Sequence, residues 1–128
     1  MKAIPTKLIL QKKLSPTGET LRFKARLVAQ GFRQIEGIDF EDTFAPVASL
    51  ASVRVVLSTA ASCDFEVYQM EVVTAFLGSK LNKKVYVSLP NSVLGGPRLA
   101  SLNRSLYGLK QSPRCWYETI DTFLNKEL

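Results

Sequence analysis

A β-hairpin near the amino terminus is the feature that most narrows the possible folds of this chain. Residues 6–14 and 20–28 are both strand-like, and the segment between them, 15–19, reads SPTGE. Proline presets one backbone angle of a turn, and glycine tolerates the positive φ that ends it. The sequence therefore predicts two antiparallel strands joined by a short turn.

The second strand of this hairpin alternates apolar and basic side chains. Its two sets are Leu21, Phe23, Ala25 and Leu27 against Arg22, Lys24 and Arg26. Because successive strand side chains point to opposite faces, the three cations are expected to share one face. That face is either a surface for a polyanion or the solvated outer face of a sheet, and the alternation is compatible with both.

Basic charge lies at both ends of the chain, around an acidic middle. Residues 1–34 carry eight basic side chains and one acid, residues 35–76 one and seven, and residues 77–128 eight and three, for a net charge of +6. Basic flanks of this kind are typical of a protein that binds a polyanion, and an acidic middle suits chemistry with metal cations at its centre. Charge that is simply solvated explains the composition equally well.

Composition also excludes several classes of site. There is no histidine, and Cys63 and Cys115 are far apart, so zinc knuckles, HExxH sites, Ser-His-Asp triads and Cys-His dyads are all ruled out. The GxGxxG and P-loop patterns do not occur.

No apolar run reaches the roughly 18 residues of a membrane span, and the start has no signal-peptide core. We therefore expect an intracellular protein without a membrane partner, in a compartment that the sequence leaves open.

The remaining segments mix helices and strands, so the expected fold class is α+β. Ser49 can cap a helix whose apolar positions between 50 and 61 are expected to pack in the core. Ser112 and Pro113 begin a last helix, with a face of Trp116, Ile120, Phe123 and Leu124, which runs to the final residue, so the chain looks cut. Between these helices we expect a strand over 66–73, a turn with a short helix over 74–81, a strand over 84–89 and a loop over 91–97.

Three stretches of the chain, in order, resemble the reverse transcriptase of copia-type retrotransposons. They are FKARLVAQGFRQIEGIDFEDTFAPVASLASVR, YQMEVVTAFLGSKL and SLYGLKQSPRCWY, which match the family patterns KARLVAxG, GIDYxETFxPV, QMDVKTAFLNG and SLYGLKQxPRxW over roughly residues 5–124. The resemblance implies a partial right-hand polymerase, one truncated reverse transcriptase domain over residues 1–128. Residues 1–45 and 77–111 would be fingers-like, and residues 46–76 and 112–128 palm-like.

Two departures from the family concern its metal site. The first metal-binding aspartate of the family corresponds to Glu71, and the other two belong to a YVDD hairpin that these 128 residues do not contain. Magnesium requires several converging oxygen ligands, and one carboxylate cannot hold the two metals of nucleotide addition. Glu71 is therefore either a relic catalytic ligand with weak or no metal affinity, or an ordinary strand-end acid. Mg²⁺ of the family is not expected to bind stably, and the strand of Glu71 should be an exposed edge.

The resemblance also assigns nucleotide-binding roles after Glu71. The backbone amides of Thr74 and Ala75 would face the triphosphate of the incoming nucleotide. Phe76 would be the steric gate beneath the sugar, where an aromatic ring rejects a 2′-hydroxyl. The alternative for Phe76 is an ordinary buried ring.

Two further groups of residues carry roles by resemblance. Lys24 and Arg26 lie on the hairpin that in the family folds over the nucleotide, so either can meet a phosphate. Tyr107, Gly108 and Lys110 would contact the template and the new base pair, or else they form only a surface turn.

The implied function is that of an RNA-directed DNA polymerase segment of a copia-type element, which acts on an RNA or DNA template-primer. The chain alone is expected to be inactive, because two catalytic aspartates are missing and the first is Glu71. One alternative is a non-catalytic module that binds single-stranded nucleic acid. The other is a gene relic without a selected role, or one that only associates with intact retrotransposon proteins.

Overall fold

The computed structural model describes residues 3–91 and 98–127, and this part of the chain folds as α+β. Its strands are β1 (Ile4–Leu14), β2 (Thr20–Ala29), β3 (Lys80–Leu89) and β4 (Arg98–Arg104). Its α-helices are α1 (Leu50–Ser62), α2 (Ala75–Gly78) and α3 (Ser112–Glu127), and a 3₁₀ helix spans Gly31–Arg33. The four strands form one mixed sheet in the order β2-β1-β3-β4.

The predicted hairpin of β1 and β2 is confirmed. The two strands pair antiparallel, with Leu8 opposite Leu27 and Lys13 opposite Arg22. The turn closes through the Ser15 amide, which donates to the Glu19 carbonyl at 2.8 Å, and Gly18 has a φ of +87°. Glycine is thus present at the turn position that requires a positive φ.

The core is small and lies where β1 and β3 run parallel. Ile4 pairs with Val87 in this parallel register, and β3 continues into an antiparallel pair with β4. The buried apolar side chains are those of Ile4, Ala29, Val85, Val87, Leu106 and Leu109. The last two belong to the segment that precedes α3, so this segment is anchored in the core.

The strand and loop predictions after α1 have different outcomes. Residues 66–73 form no strand, because no described residue pairs with their backbone, and a strand is defined by its ladder. The strand predicted over 84–89 is confirmed and begins earlier, at Lys80. β4 was not predicted. The loop predicted over 91–97 lies, except for its first residue, outside the described residues.

The helix predicted after Ser49 is confirmed, but the prediction that its apolar residues pack in the core is wrong. The Ser52 amide donates to Ser49 Oγ at 3.0 Å, which is the expected cap. Leu50, Val55 and Val56 are nevertheless 65%, 65% and 66% exposed, and Ala60 is the one buried residue of α1. Helical spacing of apolar residues predicts the helix, whereas burial requires a partner element that residues 3–91 and 98–127 do not supply.

The last helix begins where Ser112 and Pro113 predicted it. Ser112 Oγ donates to the Leu106 carbonyl at 2.6 Å and accepts from Ser105 Oγ. Helix α3 packs on α2 and β3, with Cys115 buried. From residue 121 to residue 126 every side chain is exposed, so the predicted apolar face is covered only over its first half.

None of the helices in the described part of the chain combines the length and the apolar character needed to cross a membrane.

Candidate functional site

A cleft of about 600 Å³ separates the β1–β2 hairpin from the segment that carries Glu71. Three cations of the hairpin line the cleft, namely Arg22, Lys24 and Arg26. Glu71 and Tyr107 also line it, from two other segments of the chain. The sequence pattern placed the three cations on one strand face, and the fold turns that face toward Glu71. Residues that are about 80 positions apart in the sequence thus meet at one site.

Register extends the basic face of the hairpin to β1. Lys13 lies opposite Arg22, and Gln11 lies opposite Lys24. Since residues directly opposite each other in a ladder share a face, Lys13 adds a fourth cation. Lys13 is not among the cations predicted from the alternation in β2, although counting back from the predicted turn places it on this face. We call Lys13, Arg22, Lys24 and Arg26 the basic face.

Near the turn, the other face of the hairpin is largely apolar and open to solvent. Leu10 is 72% exposed and Phe23 is 80% exposed. In the half of β2 near the turn, the alternation therefore does not separate a buried side from a solvated side. It separates a basic side from an exposed apolar side.

The cations of the basic face repel one another. The pKa of Lys24 lies below its ordinary value of 10.5, chiefly because of Arg26, with smaller effects of desolvation, Arg22 and Lys13. Glu71 acts in the opposite direction and raises this pKa from across the cleft. Lys24 is half-buried, and water still screens part of this attraction. Repulsion that exceeds attraction leaves the cleft with a positive potential, which favours an anionic ligand.

Glu71 is the one carboxylate on the described lining of this cleft. Within residues 3–91 and 98–127 it forms no ion pair, and no three His, Cys, Asp or Glu side chains gather as a set of metal ligands. Magnesium favours several oxygen ligands in octahedral arrangement. A single carboxylate that faces three guanidinium or ammonium groups does not fit such an ion.

Thr74 occupies an unusual backbone conformation at the edge of the cleft. Its φ and ψ are 57° and 41°, in the left-handed region that a β-branched residue rarely adopts. The Leu77 amide donates to the Thr74 carbonyl at 2.9 Å, which starts the single turn of α2. Conformations of this kind cost on the order of 1–3 kcal/mol and tend to occur at binding sites. The predicted short helix over 74–81 is confirmed as α2.

Phe76 is half-buried and packs against Tyr107. The ring centroids are 4.9 Å apart, and the ring planes are tilted by 53°. Ser79 is fully buried, and its hydroxyl donates to the Phe76 carbonyl at 2.8 Å, so α2 is fixed directly after this ring. Thr74 and Tyr107 line the cleft, whereas Ala75 and Phe76 do not.

Of the three residues predicted to act at 107–110, only Tyr107 lines the cleft. The Ala29 amide donates to the Tyr107 carbonyl at 2.7 Å, which joins this loop to the end of β2. Gly108 has a φ of +90°. The amine of Lys110 lies 4.7 Å from the ring centroid of Phe40, a cation–π contact directed away from the basic face.

A buried pair of glutamines lies behind the Tyr107 loop. Gln34 and Gln111 are 6% and 8% exposed, and Gln34 Nε2 donates to Gln111 Oε1 at 2.9 Å. Sequence reasoning missed this pair, since glutamine is common on surfaces and no spacing connects two positions so far apart.

A second cavity, of about 160 Å³, is lined by two basic and four acidic side chains, most of which form ion pairs. Lys83 contacts Glu41 at 2.6 Å, and Arg114 contacts Glu118 at 3.0 Å and Asp42 at 3.7 Å. Both of its cations are therefore paired with carboxylates, and acids outnumber bases, so its charge is opposite in sign to that of the first cleft.

Comparison with known proteins gives consistent matches. The family described as reverse transcriptase (RNA-dependent DNA polymerase) matches residues 1–128. The chain is 47% identical over 84% of its length to the retrovirus-related Pol polyprotein from transposon TNT 1-94 of Nicotiana tabacum, of which it covers 8%. It is 40% identical over 91% of its length to the Pol polyprotein from transposon RE2 of Arabidopsis thaliana, again covering 8%.

A more distant relative is the transposon Ty1-ER2 Gag-Pol polyprotein of Saccharomyces cerevisiae. It is 33% identical over 81% of the chain, which covers 6% of that polyprotein. The chain thus spans less than a tenth of the length of these curated relatives. No solved structure gives a significant match.

Proposed function

Because the chain belongs to the reverse transcriptase family and resembles that region of copia-type Pol polyproteins, we propose that it forms the nucleotide-facing and template-facing part of an RNA-directed DNA polymerase. In this proposal the α+β fold is part of a right-hand polymerase. Residues 1–45 and 77–111 correspond to fingers, and residues 46–76 and 112–128 to palm. The ligand of the cleft is then the phosphate backbone of RNA or DNA, or the phosphates of a nucleotide.

The observation that carries this function is the arrangement of the basic face against Tyr107 around one cleft. Cations neutralise phosphates, and an aromatic ring at the opposite wall can stack on a base. Lys24 and Arg26 are the candidate phosphate contacts, and the backbone amides of Thr74 and Ala75 are candidate donors. Phe76 supports the Tyr107 ring from behind, at a centroid distance of 4.9 Å.

We further propose that these 128 residues alone bind nucleic acid without extending a primer. Reverse transcriptases generally use a divalent metal, and the described residues of the cleft do not fit one, because Glu71 is its sole carboxylate. Glu71 then acts as a counter-charge to Lys24, whose pKa it raises. Non-catalytic binding to single strands is therefore what the chain by itself can do.

Salt dependence of binding to single-stranded RNA tests this function. Each phosphate neutralised by a cation releases condensed counterions. The logarithm of the binding constant therefore falls linearly with the logarithm of the salt concentration, with a slope of about −0.7 per contact on single strands. The triple variant Arg22→Ala/Lys24→Ala/Arg26→Ala should show a shallower slope than the unmodified chain. Tyr107→Ala should show a parallel line at weaker affinity, because stacking of about 1–3 kcal/mol per base is largely independent of salt.

Lys12 supplies the matched control for the loss of charge. It lies opposite Phe23, on the other face of the same hairpin, and is exposed, whereas Lys24 is half-buried. Lys12→Ala should leave the salt slope nearly unchanged, whereas Lys24→Ala should make it shallower by about the contribution of one phosphate contact. Equal weak binding by all of these proteins would identify the basic face as solvated charge and would favour a relic without a binding role.

A further inference from the structure

Gln34 and Gln111 form the one buried contact between two amide side chains in the described part of the chain. They are 77 positions apart in sequence, and their hydrogen bond measures 2.9 Å. Long polar side chains are seldom this well buried unless their hydrogen bonds are satisfied. Their burial thus requires a specific arrangement of the surrounding backbone.

The pair belongs to a chain of three hydrogen bonds that links separate segments. The Lys110 amide donates to Gln34 Oε1 at 2.8 Å, Gln34 donates to Gln111, and Gln111 Nε2 donates to the Asp39 carbonyl at 3.1 Å. Each bond satisfies a group that would otherwise be buried without a partner. Loss of one amide leaves such a group unpaired.

These bonds hold the Tyr107 loop at a second point. Its first attachment is the Ala29 amide, which donates to the Tyr107 carbonyl at 2.7 Å. The second is the bond from Lys110 to Gln34, three residues farther along the loop. Gln34 follows the 3₁₀ helix that continues from β2, so both attachments join the loop to the hairpin that carries the basic face.

We propose that Gln34 and Gln111 are positioning residues, which hold the Tyr107 ring at the cleft wall across from the basic face. Neither side chain lines the cleft, so they act on a ligand only through the loop. This role rests on the proposed function, in which the cleft binds nucleic acid.

Two readouts separate the position of Tyr107 from the function of the cleft. In the free protein, nuclear Overhauser contacts between the Phe76 and Tyr107 rings report the ring position, and contacts between Leu8 and Leu27 report an intact hairpin. In a binding assay with oligouridylate, the effect of Tyr107→Ala reports whether the ring meets a base.

The principal variant is Gln34→Met/Gln111→Met, which keeps side-chain length and removes all three hydrogen bonds. We expect it to lose the ring contact and keep the hairpin contact. In the unmodified chain Tyr107→Ala should weaken oligouridylate binding roughly 5- to 150-fold. In the double-methionine background Tyr107→Ala should have almost no further effect, while the salt slope set by the basic face stays unchanged.

A conservative variant keeps the test valid should the double variant fail to fold. Gln34→Glu retains an acceptor for the Lys110 amide, so it should keep more of the ring contact than Gln34→Met, which has none. Unchanged ring contacts in Gln34→Met and in the folded double variant would overturn the positioning role. If the unmodified chain shows no salt-dependent binding, the proposed function fails, and the ring contacts still decide the role of the glutamines.

Discussion

The backbone of Gly31 lies so close to the carbonyl oxygen of Gly108 that a Cβ on Gly31 would overlap it. A Cβ on Gly108 would in turn overlap the carbonyl oxygen of Ala29. This close approach brings the end of β2 against the Tyr107 loop, where the Ala29 amide donates to the Tyr107 carbonyl. The junction between hairpin and loop therefore depends on two residues without side chains.

Gly108→Ala should destabilise the protein more than Gly18→Ala. Both glycines have a positive φ, +90° and +87°, so both substitutions incur backbone strain of roughly 1–2 kcal/mol. Only the Cβ at position 108 also meets backbone, since nothing lies within 4 Å of the one at position 18. We expect Gly108→Ala to cost about 3 kcal/mol or more in urea unfolding. Equal costs for the two variants would show that the junction opens easily.

The parts of the fold that local rules specify were predictable. The β1–β2 hairpin follows from turn residues and alternation, and the starts of α1 and α3 follow from Ser49 and Ser112. Pairing between distant segments was not predictable in this way. Residues 66–73 have strand composition without a described partner, and β4 exists because it pairs with β3, with Tyr86 opposite Ser101.

The same distinction applies to the candidate site. Period two put Arg22, Lys24 and Arg26 on one face, and the fold presents that face to Glu71 and Tyr107. Lys110 was grouped with Tyr107 because both belong to the family motif SLYGLKQ, and its predicted contact with a template stays a prediction, while its amine lies over the Phe40 ring. Side-chain direction in a loop depends on tertiary neighbours, which also explains why the buried Gln34–Gln111 pair could not be foreseen.

The 128-residue chain should not extend a primer, and Glu71→Asp should not restore extension. A shorter carboxylate at this position still leaves a single acid on the cleft lining, whereas two-metal phosphoryl transfer needs several. Primer extension with magnesium or manganese measures this directly. Extension by the purified chain that Glu71→Ala abolishes would show that ligands outside the described cleft complete the site.

Mild alkylation should label Cys63 and spare Cys115. Cys63 is exposed, whereas Cys115 is 3% exposed in α3, and burial raises the pKa of its thiol. Since the thiolate is the reactive form, Cys115 should react only after unfolding. Mass spectrometry before and after addition of urea counts the labelled thiols. Rapid labelling of both cysteines in the native protein would indicate that α3 does not stay packed on β3.

The purified chain should bind a hydrophobic dye at α1. Leu50, Val55 and Val56 are each about two-thirds exposed, which is unusual for neighbouring apolar side chains on a soluble domain. Val55→Lys/Val56→Lys should lower dye fluorescence and improve solubility, with little change in unfolding free energy, because both side chains are already exposed. By contrast, Ile4→Ala, at a buried position, should cost about 2–5 kcal/mol. Absence of dye binding would mean that α1 is covered in solution.

Affinity for single-stranded DNA should fall as pH rises toward the alkaline range, and Lys24 should cause the first part of that fall. Repulsion, chiefly from Arg26, lowers the pKa of Lys24 below 10.5, so it loses its proton before an ordinary lysine does. A phosphate beside Lys24 stabilises the charged amine, so binding raises this pKa and takes up a proton between the free and bound values. Between this lowered pKa and 10.5 the free protein gains stability with rising pH, because the unfolded chain binds more protons there than the folded chain. Lys24→Arg, whose guanidinium remains charged, should keep the affinity at neutral pH and lose the early part of the pH dependence. An identical pH profile for Lys24→Arg and the unmodified chain would mean that Lys24 contacts no phosphate.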